Sequence, residues 1–300
     1  MTRMLRLATR SSKLALTQAR AVVQALGELE PGLRVEELQV VTSGDRFQDQ
    51  PLQDLGGKGL FVKEIEQALL DGRADFAVHS MKDVPAELEA GLTLGCIPTR
   101  EDARDVLVSR SGATLRALPA GALVGTSSLR RRTMVLTARP DLEVVPLRGN
   151  VDTRLRKVRE GVVDATVLAL AGLRRMALDA EVSEILDPEL LVPAVGQGAL
   201  GIEARADDAE VAALLRRFEH PPTRIAVAAE RAFLTAVEGN CRLPVAAYAV
   251  RDGAELWLRA MLAEPDGTRV RRGERRIGWP QAVAPAERVG REIGLALRQG

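Results

Sequence analysis

Residues 122–132 have the sequence Ala-Leu-Val-Gly-Thr-Ser-Ser-Leu-Arg-Arg-Arg, in which a short apolar run meets a Ser-rich turn. The apolar run is typical of a buried strand, and serine is a preferred residue where a helix begins. A strand that passes directly into a helix is the repeating unit of α/β domains. The sequence therefore predicts a strand at 122–125 and a helix that opens at 126–132.

The same alternation of strand and helix signals continues on both sides of this stretch. Downstream, a strand, a helix and a strand are predicted at 142–147, 153–159 and 164–170. Upstream, the prediction is strands at 5–8, 35–41 and 74–78, helices at 13–29 and 60–70, and a turn-rich loop at 42–59. Residues 8–12, Ala-Thr-Arg-Ser-Ser, also resemble Gly-Thr-Ser-Ser at 125–128. We expect two similar α/β domains, each with a serine at a helix N-terminus; chance similarity of two strand–helix units is the alternative.

The last third of the chain has a different pattern. Three alternating runs predict strands at 245–251, 255–262 and 268–277, and Asp-Gly pairs separate them. Helices are predicted at 224–237 and 285–298. The pattern indicates a small antiparallel α+β domain that begins after His220-Pro221-Pro222.

The composition excludes several classes of protein. A hydrophobic fraction of 46% excludes general disorder, and a net charge of +1 disfavours a general polyanion binder. Two cysteines and two histidines are too few for a disulfide framework or a His-rich metal site, so no metal is expected. Residues 1–16 lack a signal-peptide core, and no apolar run reaches about 18 residues. We expect a cytoplasmic protein with no membrane span.

Basic residues gather where predicted strands pass into helices. Arg10, Arg130 and Arg131 lie at two such corners, and Arg148 and Arg154 flank a third. Helix N-termini bind anions, and arginine pairs with carboxylates or phosphates through two hydrogen bonds. The pattern predicts a ligand with several acidic groups, although any single arginine could be a solvated surface charge.

Two further side chains could take part in chemistry. Asp83 follows the strand at 74–78, and a carboxylate there could accept ligand N–H groups or stabilise a developing cation. Its alternative roles are a turn cap or an ion pair with Lys82. Cys241 lies in a polar loop beside Arg242, which favours the nucleophilic thiolate, although an unreactive loop cysteine is equally compatible. Cys96 lies in an apolar strand and is interpreted as a buried core thiol.

Longer motifs resemble the porphobilinogen deaminase (hydroxymethylbilane synthase) family. They comprise residues 55–85, Gly-Thr-Ser-Ser-Leu-Arg-Arg at 125–131, Leu-Arg-Gly-Asn at 147–150, Val-Pro-Ala-Val-Gly-Gln-Gly at 192–198 and the loop around Cys241. The resemblance covers essentially the whole chain. It implies two α/β domains similar to the lobes of type-II periplasmic binding proteins, which face a cleft, and a third domain that carries the cysteine. The implied boundaries are 1–98 with 199–216, 104–192 and 221–300, and the implied state is a monomer.

The resemblance also implies a transferase activity in tetrapyrrole and haem biosynthesis. A dipyrromethane cofactor, held by a thioether to Cys241, would prime the stepwise condensation of four porphobilinogen molecules. Each addition would release ammonia, and hydrolysis would free hydroxymethylbilane. Every pyrrole ring carries two carboxylates, so cofactor and chain together would bring about a dozen of them to the enzyme.

The family motifs assign roles to individual residues. Asp83 would be catalytic, facing the pyrrole N–H groups. Residues implied to bind the cofactor or the growing chain are Ser80, Lys82, Asp83, Thr126, Ser127, Ser128, Arg130, Arg131, Arg148, Gly149 and Arg154. Residues implied to bind the incoming substrate are Arg10, Ser12, Lys58, Phe61 and Gln197. Two positions depart from the family pattern: Asp54 replaces a basic residue and receives no role, and Asn240 replaces glycine before Cys241.

Two other functions compete with this hypothesis. A non-catalytic, two-lobed small-anion-binding protein or regulator would need the basic corners but not Asp83 or Cys241. Nucleic-acid binding is disfavoured by the net charge and by an aromatic content of 3%.

Overall fold

The computed structural model describes residues 4–46, 62–238 and 243–299. These residues form two compact units. The first contains residues 4–46, 62–100 and 199–224, and the second contains 101–198 and 225–299. The chain therefore leaves the first unit near residue 100 and returns to it at residue 199.

The strands of the described residues belong to three sheets. In chain order they are β1 (Met4–Arg10), β2 (Arg34–Val40), β3 (Phe76–Ser80), β4 (Leu92–Cys96), β5 (Asp105–Ser109), β6 (Leu123–Gly125), β7 (Glu143–Val145), β8 (Ala165–Ala169), β9 (Glu184–Ile185), β10 (Leu200–Arg205), β11 (Val245–Asp252), β12 (Glu255–Leu262) and β13 (Arg271–Gly278).

The α-helices of the described residues lie between these strands and at the end of the chain. They are α1 (Lys13–Leu29), α2 (Ser43–Arg46), α3 (Lys63–Leu70), α4 (Leu129–Ala138), α5 (Val151–Arg159), α6 (Leu170–Arg175), α7 (Ala209–Arg216), α8 (Pro221–Ala236) and α9 (Val283–Gln299). None of the helices in the described ranges combines the length and the apolarity that crossing a membrane requires.

The first two sheets have the same strand arrangement. The first has the order β2-β1-β3-β10-β4, and the second has the order β7-β6-β8-β5-β9. In each, the first three strands are parallel and the fourth runs antiparallel to its neighbours. The antiparallel strand is in both cases the one reached after the chain passes from the other unit. The prediction of two similar α/β domains is confirmed.

The third sheet is antiparallel, with the order β11-β12-β13, as the alternating pattern predicted. Its inner face packs on α8 and α9 through Leu258, Phe233 and Ile293. Its other face contributes Ala246 and Met261 to the core that surrounds the second sheet. This shared core joins the second and third sheets in one compact unit.

Most predicted boundaries differ from the structure by one to three residues. The loop predicted at 42–59 contains the short helix α2, and most of the remaining loop lies outside the described residues. Helix α8 begins at Pro221, three residues before the predicted start. Proline fits the first turn of a helix, because its missing N–H has no intrahelical acceptor there.

Replacing Gly290 by alanine is expected to destabilise the protein by about 1–3 kcal/mol. The added Cβ would overlap the carbonyl oxygen of Ala229 where α9 contacts α8. Urea unfolding would measure the loss. Gly278→Ala is the control, because a Cβ at that position meets nothing within 4 Å. Equal unfolding midpoints for the two variants would contradict the close helix contact.

Candidate functional site

The first unit places several candidate residues at one edge of its sheet. β1 and β3 are parallel neighbours, with Ala8 opposite Ala77, so Arg10 and Ser80 end adjacent strands at the same edge. Helix α1 follows at once, and the Ser12 hydroxyl accepts a hydrogen bond of 3.3 Å from the Ala15 N–H. The sequence predicted Ser11 or Ser12 as the helix cap, and the cap is Ser12.

Ser80 is connected to the same helix. The Gln18 side chain donates a hydrogen bond of 3.0 Å from Nε2 to the Ser80 hydroxyl. The preceding residue, His79, points into the core, where its Nε2 lies 2.9 Å from Oε2 of Glu203. Neighbouring positions of the strand therefore differ in role, since Ser80 faces the helix N-terminus and His79 belongs to the interior.

Asp83 lies just beyond β3. Residues Met81–Asp83 form one 3₁₀ turn, in which Met81 is buried and both Lys82 and Asp83 are exposed. Within the described ranges, no side chain forms an ion pair or hydrogen bond with the Asp83 carboxylate, and the alternative of an ion pair with Lys82 is not observed. A buried methionine therefore anchors a turn that presents an exposed carboxylate.

In the second unit, the residues after β6 form a network of short-range hydrogen bonds. Ser128 caps α4 by accepting from the Arg131 N–H at 3.4 Å, and its own N–H donates to the Thr126 hydroxyl at 3.2 Å. The Ser127 hydroxyl donates to the Leu147 carbonyl at 3.1 Å. This last bond joins the corner after β6 to the corner after β7.

The two corners approach closely because their glycines allow it. A Cβ on Gly125 would lie 2.7 Å from the Leu147 side chain, so a larger residue would push β7 away. Gly149 has φ +115°, a left-handed conformation that side chains disfavour. These glycines bring Arg148 next to the N-terminus of α4.

Three guanidinium groups gather at these corners. Burial, together with the positive charges of Arg131 and Arg148, lowers the pKa of Arg154 to about 10. Arg154 donates through Nε to the Gly149 carbonyl at 2.8 Å, which fixes its direction. Arg131 is buried and Arg148 and Arg154 are half-buried, and like charges held together in this way favour an anionic ligand between them.

Asp105 binds two of the predicted arginines, and it was not predicted from the sequence. Arg130 contacts one of its carboxylate oxygens at 2.6 Å, and Arg131 contacts the other at 2.8 Å. Burial alone would raise the pKa of Asp105, but the two guanidinium groups hold it well below its ordinary value. The available signal was an acidic residue at the start of the otherwise apolar strand β5.

Arg130 and Arg131 are held differently. Arg130 is 5% exposed and Arg131 is 6% exposed, and Nη1 of Arg130 also donates to the Val192 carbonyl at 2.7 Å. Arg131 directs Nε and Nη2 to Asp105, and its Nη1 has no acceptor among the described residues. Of the two, Arg131 is the one whose charge acts on Arg154, so it belongs to the cluster of guanidinium groups.

Gln197 and Arg175 hold the segment that leads back to the first unit. Gln197 is 1% exposed, and its Nε2 donates to the Ala103 carbonyl at 2.7 Å and to Asp105 at 3.1 Å. Arg175, also missed from the sequence, donates to the Gly198 carbonyl at 2.7 Å, and burial lowers its pKa. The predicted direct contact of Gln197 with substrate stays a prediction.

Three predicted site residues, Cys241, Lys58 and Phe61, lie outside the described residues, as do Asp54 and Asn240. The other cysteine, Cys96, is fully buried, and burial raises the pKa of its thiol to about 12. The interpretation of Cys96 as a core thiol is confirmed.

Comparisons with known proteins agree over nearly the whole chain. Residues 5–213 match the model described as porphobilinogen deaminase, dipyromethane cofactor binding domain, and residues 224–299 match porphobilinogen deaminase, C-terminal domain. A porphobilinogen deaminase of Sorangium cellulosum is 62% identical over 296 residues, which cover 99% of each chain. One of Brevibacillus brevis is 55% identical over 86% of this chain and 84% of its own.

The similarity to solved structures is weaker than the similarity to these two relatives. The VFT2 domain of Bordetella pertussis BvgS aligns with a TM-score of 0.43 and 17% identity, over 71% of this chain and 85% of that domain. This level of similarity does not by itself establish a shared fold.

Proposed function

The chain belongs to the porphobilinogen deaminase family, and we propose on that basis that the arginines where its strands pass into helices bind acidic pyrroles and that Asp83 is the catalytic residue. It is a transferase that joins four porphobilinogen molecules head to tail on a dipyrromethane primer and releases ammonia at each addition. Hydrolysis then frees hydroxymethylbilane. The alternative of a non-catalytic anion-binding protein is not supported.

The observation that carries the site proposal is the cluster of Arg131, Arg148 and Arg154. Burial and mutual repulsion make this arrangement costly without an anion, as the lowered pKa of Arg154 indicates. The acetate and propionate groups of a pyrrole are anions that arginine binds through paired hydrogen bonds. We therefore assign the carboxylates of the cofactor and growing chain to these three side chains.

The N-terminus of α4 adds a second source of positive potential. Its first N–H groups and the helix dipole favour anions, and Thr126, Ser127 and Ser128 place hydroxyls around the same corner. Part of this hydroxyl set is engaged with the protein itself. Lys82, Gly149 and Arg130 complete the proposed cofactor-binding set, with Arg130 acting mainly through Asp105.

The dipyrromethane, when bound through Cys241, supplies the free pyrrole position to which the first substrate ring is joined. The hydroxyl, lysine and arginine donors of the second unit and of residues 80–82 suit such an acidic group.

Asp83 is proposed to act on the incoming substrate. Loss of ammonia from porphobilinogen leaves an electron-poor cation, and a carboxylate close to the pyrrole N–H stabilises that charge. The same carboxylate can accept and return protons while the carbon–carbon bond forms. An exposed turn anchored by Met81 suits this role, because the group stays accessible while its backbone is held.

The remaining assignments are proposals that follow family motifs. Arg10 and Ser12, at the end of β1, would bind the carboxylates of the incoming substrate, together with Lys58, Phe61 and Gln197. We further propose the three-domain division at 1–98 with 199–216, 104–192 and 221–300, a monomeric state, a cytoplasmic location and no nucleic-acid partner.

Arg131→Leu is expected to fold and to lose most chain elongation, because it removes a guanidinium from the anion cluster. Intact-mass spectrometry after a brief incubation with porphobilinogen would count the substrate rings added per chain, and the starting mass would give the cofactor-loaded fraction. Removing one charge-assisted contact of about 1.5–3 kcal/mol predicts a loss of about tenfold to a hundredfold in elongation rate.

The control for this experiment is Arg132→Leu. Arg132 is the next residue of α4 and is exposed, so its replacement makes the same change in charge outside the cluster. Elongation by Arg132→Leu should match the wild type. Equal elongation by both variants would remove Arg131 from the proposed site.

A further inference from the structure

A buried carboxylate in the C-terminal part of the second unit holds two separate backbone segments. Glu230 on α8 is fully buried, and its Oε2 accepts a hydrogen bond of 2.6 Å from the Gly196 N–H. Its Oε1 accepts one of 2.9 Å from the Ala249 N–H on β11. One side chain therefore ties the helix, the third sheet and the segment around residue 196 together.

The residue next to Gly196 continues the connection. Nε2 of Gln197 donates two hydrogen bonds, to the carbonyl of Ala103 and to Oδ1 of Asp105. Because Gly196 is fixed by Glu230, the Gln197 side chain leaves the backbone from a fixed position. Its amide then favours one orientation of the Asp105 carboxylate.

That orientation decides what the arginines can do. Asp105 gives Oδ2 to Arg130 and Oδ1 to Arg131, and it shares Oδ1 with Gln197. A partial rotation of the carboxylate would move Oδ1 away from Nε and Nη2 of Arg131. Since Nε and Nη2 of Arg131 both donate to Oδ1, the direction of Nη1 depends on this buried contact.

We propose that Gln197 and Glu230 are positioning residues for acidic-pyrrole binding, acting through Asp105 on Arg131, a role that rests on the proposed function of Arg131. The arrangement also has a consequence along the sequence. Helix α8, which carries Glu230, ends at Ala236, shortly before Cys241. The helix that leads to the proposed cofactor attachment thus also determines the direction of a guanidinium proposed to bind the cofactor.

The test is a double-mutant cycle with Gln197→Met and Glu230→Gln. Methionine has a similar length but donates no hydrogen bond, and glutamine keeps the shape of Glu230 but replaces one acceptor by a donor. Each single variant should lower kcat/KM for porphobilinogen by about tenfold, the size expected for one hydrogen bond. The kcat/KM of the double variant should be at most about twofold below that of the less active single variant, because both residues act through the same contact with Asp105.

Losses that multiply to about a hundredfold would overturn the proposal, since independent defects add in free energy. A readout besides activity is the fraction of purified chain that carries the cofactor, measured by intact mass. This fraction should fall in both single variants and no further in the double variant. If Glu230→Gln does not fold, Gln197→Met alone tests the proposal. A wild-type kcat/KM and a wild-type cofactor-loaded fraction for Gln197→Met would then refute the positioning role.

Two controls separate positioning from general destabilisation and from failure of the proposed site. Leu118→Ala truncates a buried side chain in the core of the same unit and should lower Tm without changing kcat/KM. If Arg131→Leu elongates normally, the proposed role of Arg131 is wrong. If Arg131→Leu is impaired while Gln197→Met is normal, the role of Arg131 stands and the positioning role is wrong.

Discussion

Asp83→Asn is expected to fold like the wild type and to consume porphobilinogen at least about a hundredfold more slowly. Asparagine keeps the size of the side chain but loses the negative charge that would stabilise the cation left by ammonia. The fold should be insensitive to this change, because the carboxylate is exposed and the buried Met81 anchors the turn. On one preparation, initial rates would measure turnover, Tm would measure the stability of the fold, and intact mass would show whether the cofactor is attached.

The matched control for Asp83 is Glu87→Gln. Glu87 is an exposed acidic residue on the segment that follows the same turn, and its replacement makes the same change in charge. Its rate should equal that of the wild type. Rates within about twofold of the wild type for Asp83→Asn would rule out a role for this carboxylate in catalysis.

The second large effect concerns the covalent cofactor. Purified protein should be heavier than its sequence by one dipyrromethane, and Cys241→Ala should have the sequence mass and no turnover. The thiolate is the reactive form of cysteine. Cys96 is fully buried, and burial raises the pKa of its thiol to about 12, so it cannot substitute for Cys241.

Cys96→Ala is the control for the attachment site, and it should keep both the added mass and the activity. Cys241→Ser provides a second test with a side chain of nearly the same size. An active preparation with the bare sequence mass would disprove covalent attachment, and an adduct that survives Cys241→Ala would move it to another residue.

Local features of the fold could be predicted because their causes lie within a few residues. Ser12 and Ser128 cap α1 and α4 as expected, since a cap hydroxyl bonds an N–H three positions away. The alternating pattern gave all three strands of the last sheet. Cys96 was interpreted as buried because it lies in an apolar strand.

Long-range partners could not be predicted in this way. Asp105 is separated from Arg130 by 25 residues and from Gln197 by 92, and no local pattern connects them. Short strands such as β9 and the crossing strands β5 and β10 were also missed. Their positions depend on the return of the chain from the other unit.

The sequence by itself determined the type of protein: two strand–helix series, an antiparallel C-terminal domain, serine caps beside arginines, and motifs long enough to identify the family. Those properties depend on neighbouring residues, whose spacing the sequence contains directly. Only the tertiary structure decided how the charges are used. It placed two adjacent buried arginines on the two oxygens of one carboxylate, because Asp105 is brought beside them on another strand. It also connected Arg131 to Gln197 and Glu230, since a buried carboxylate must find its hydrogen-bond donors wherever the fold brings them.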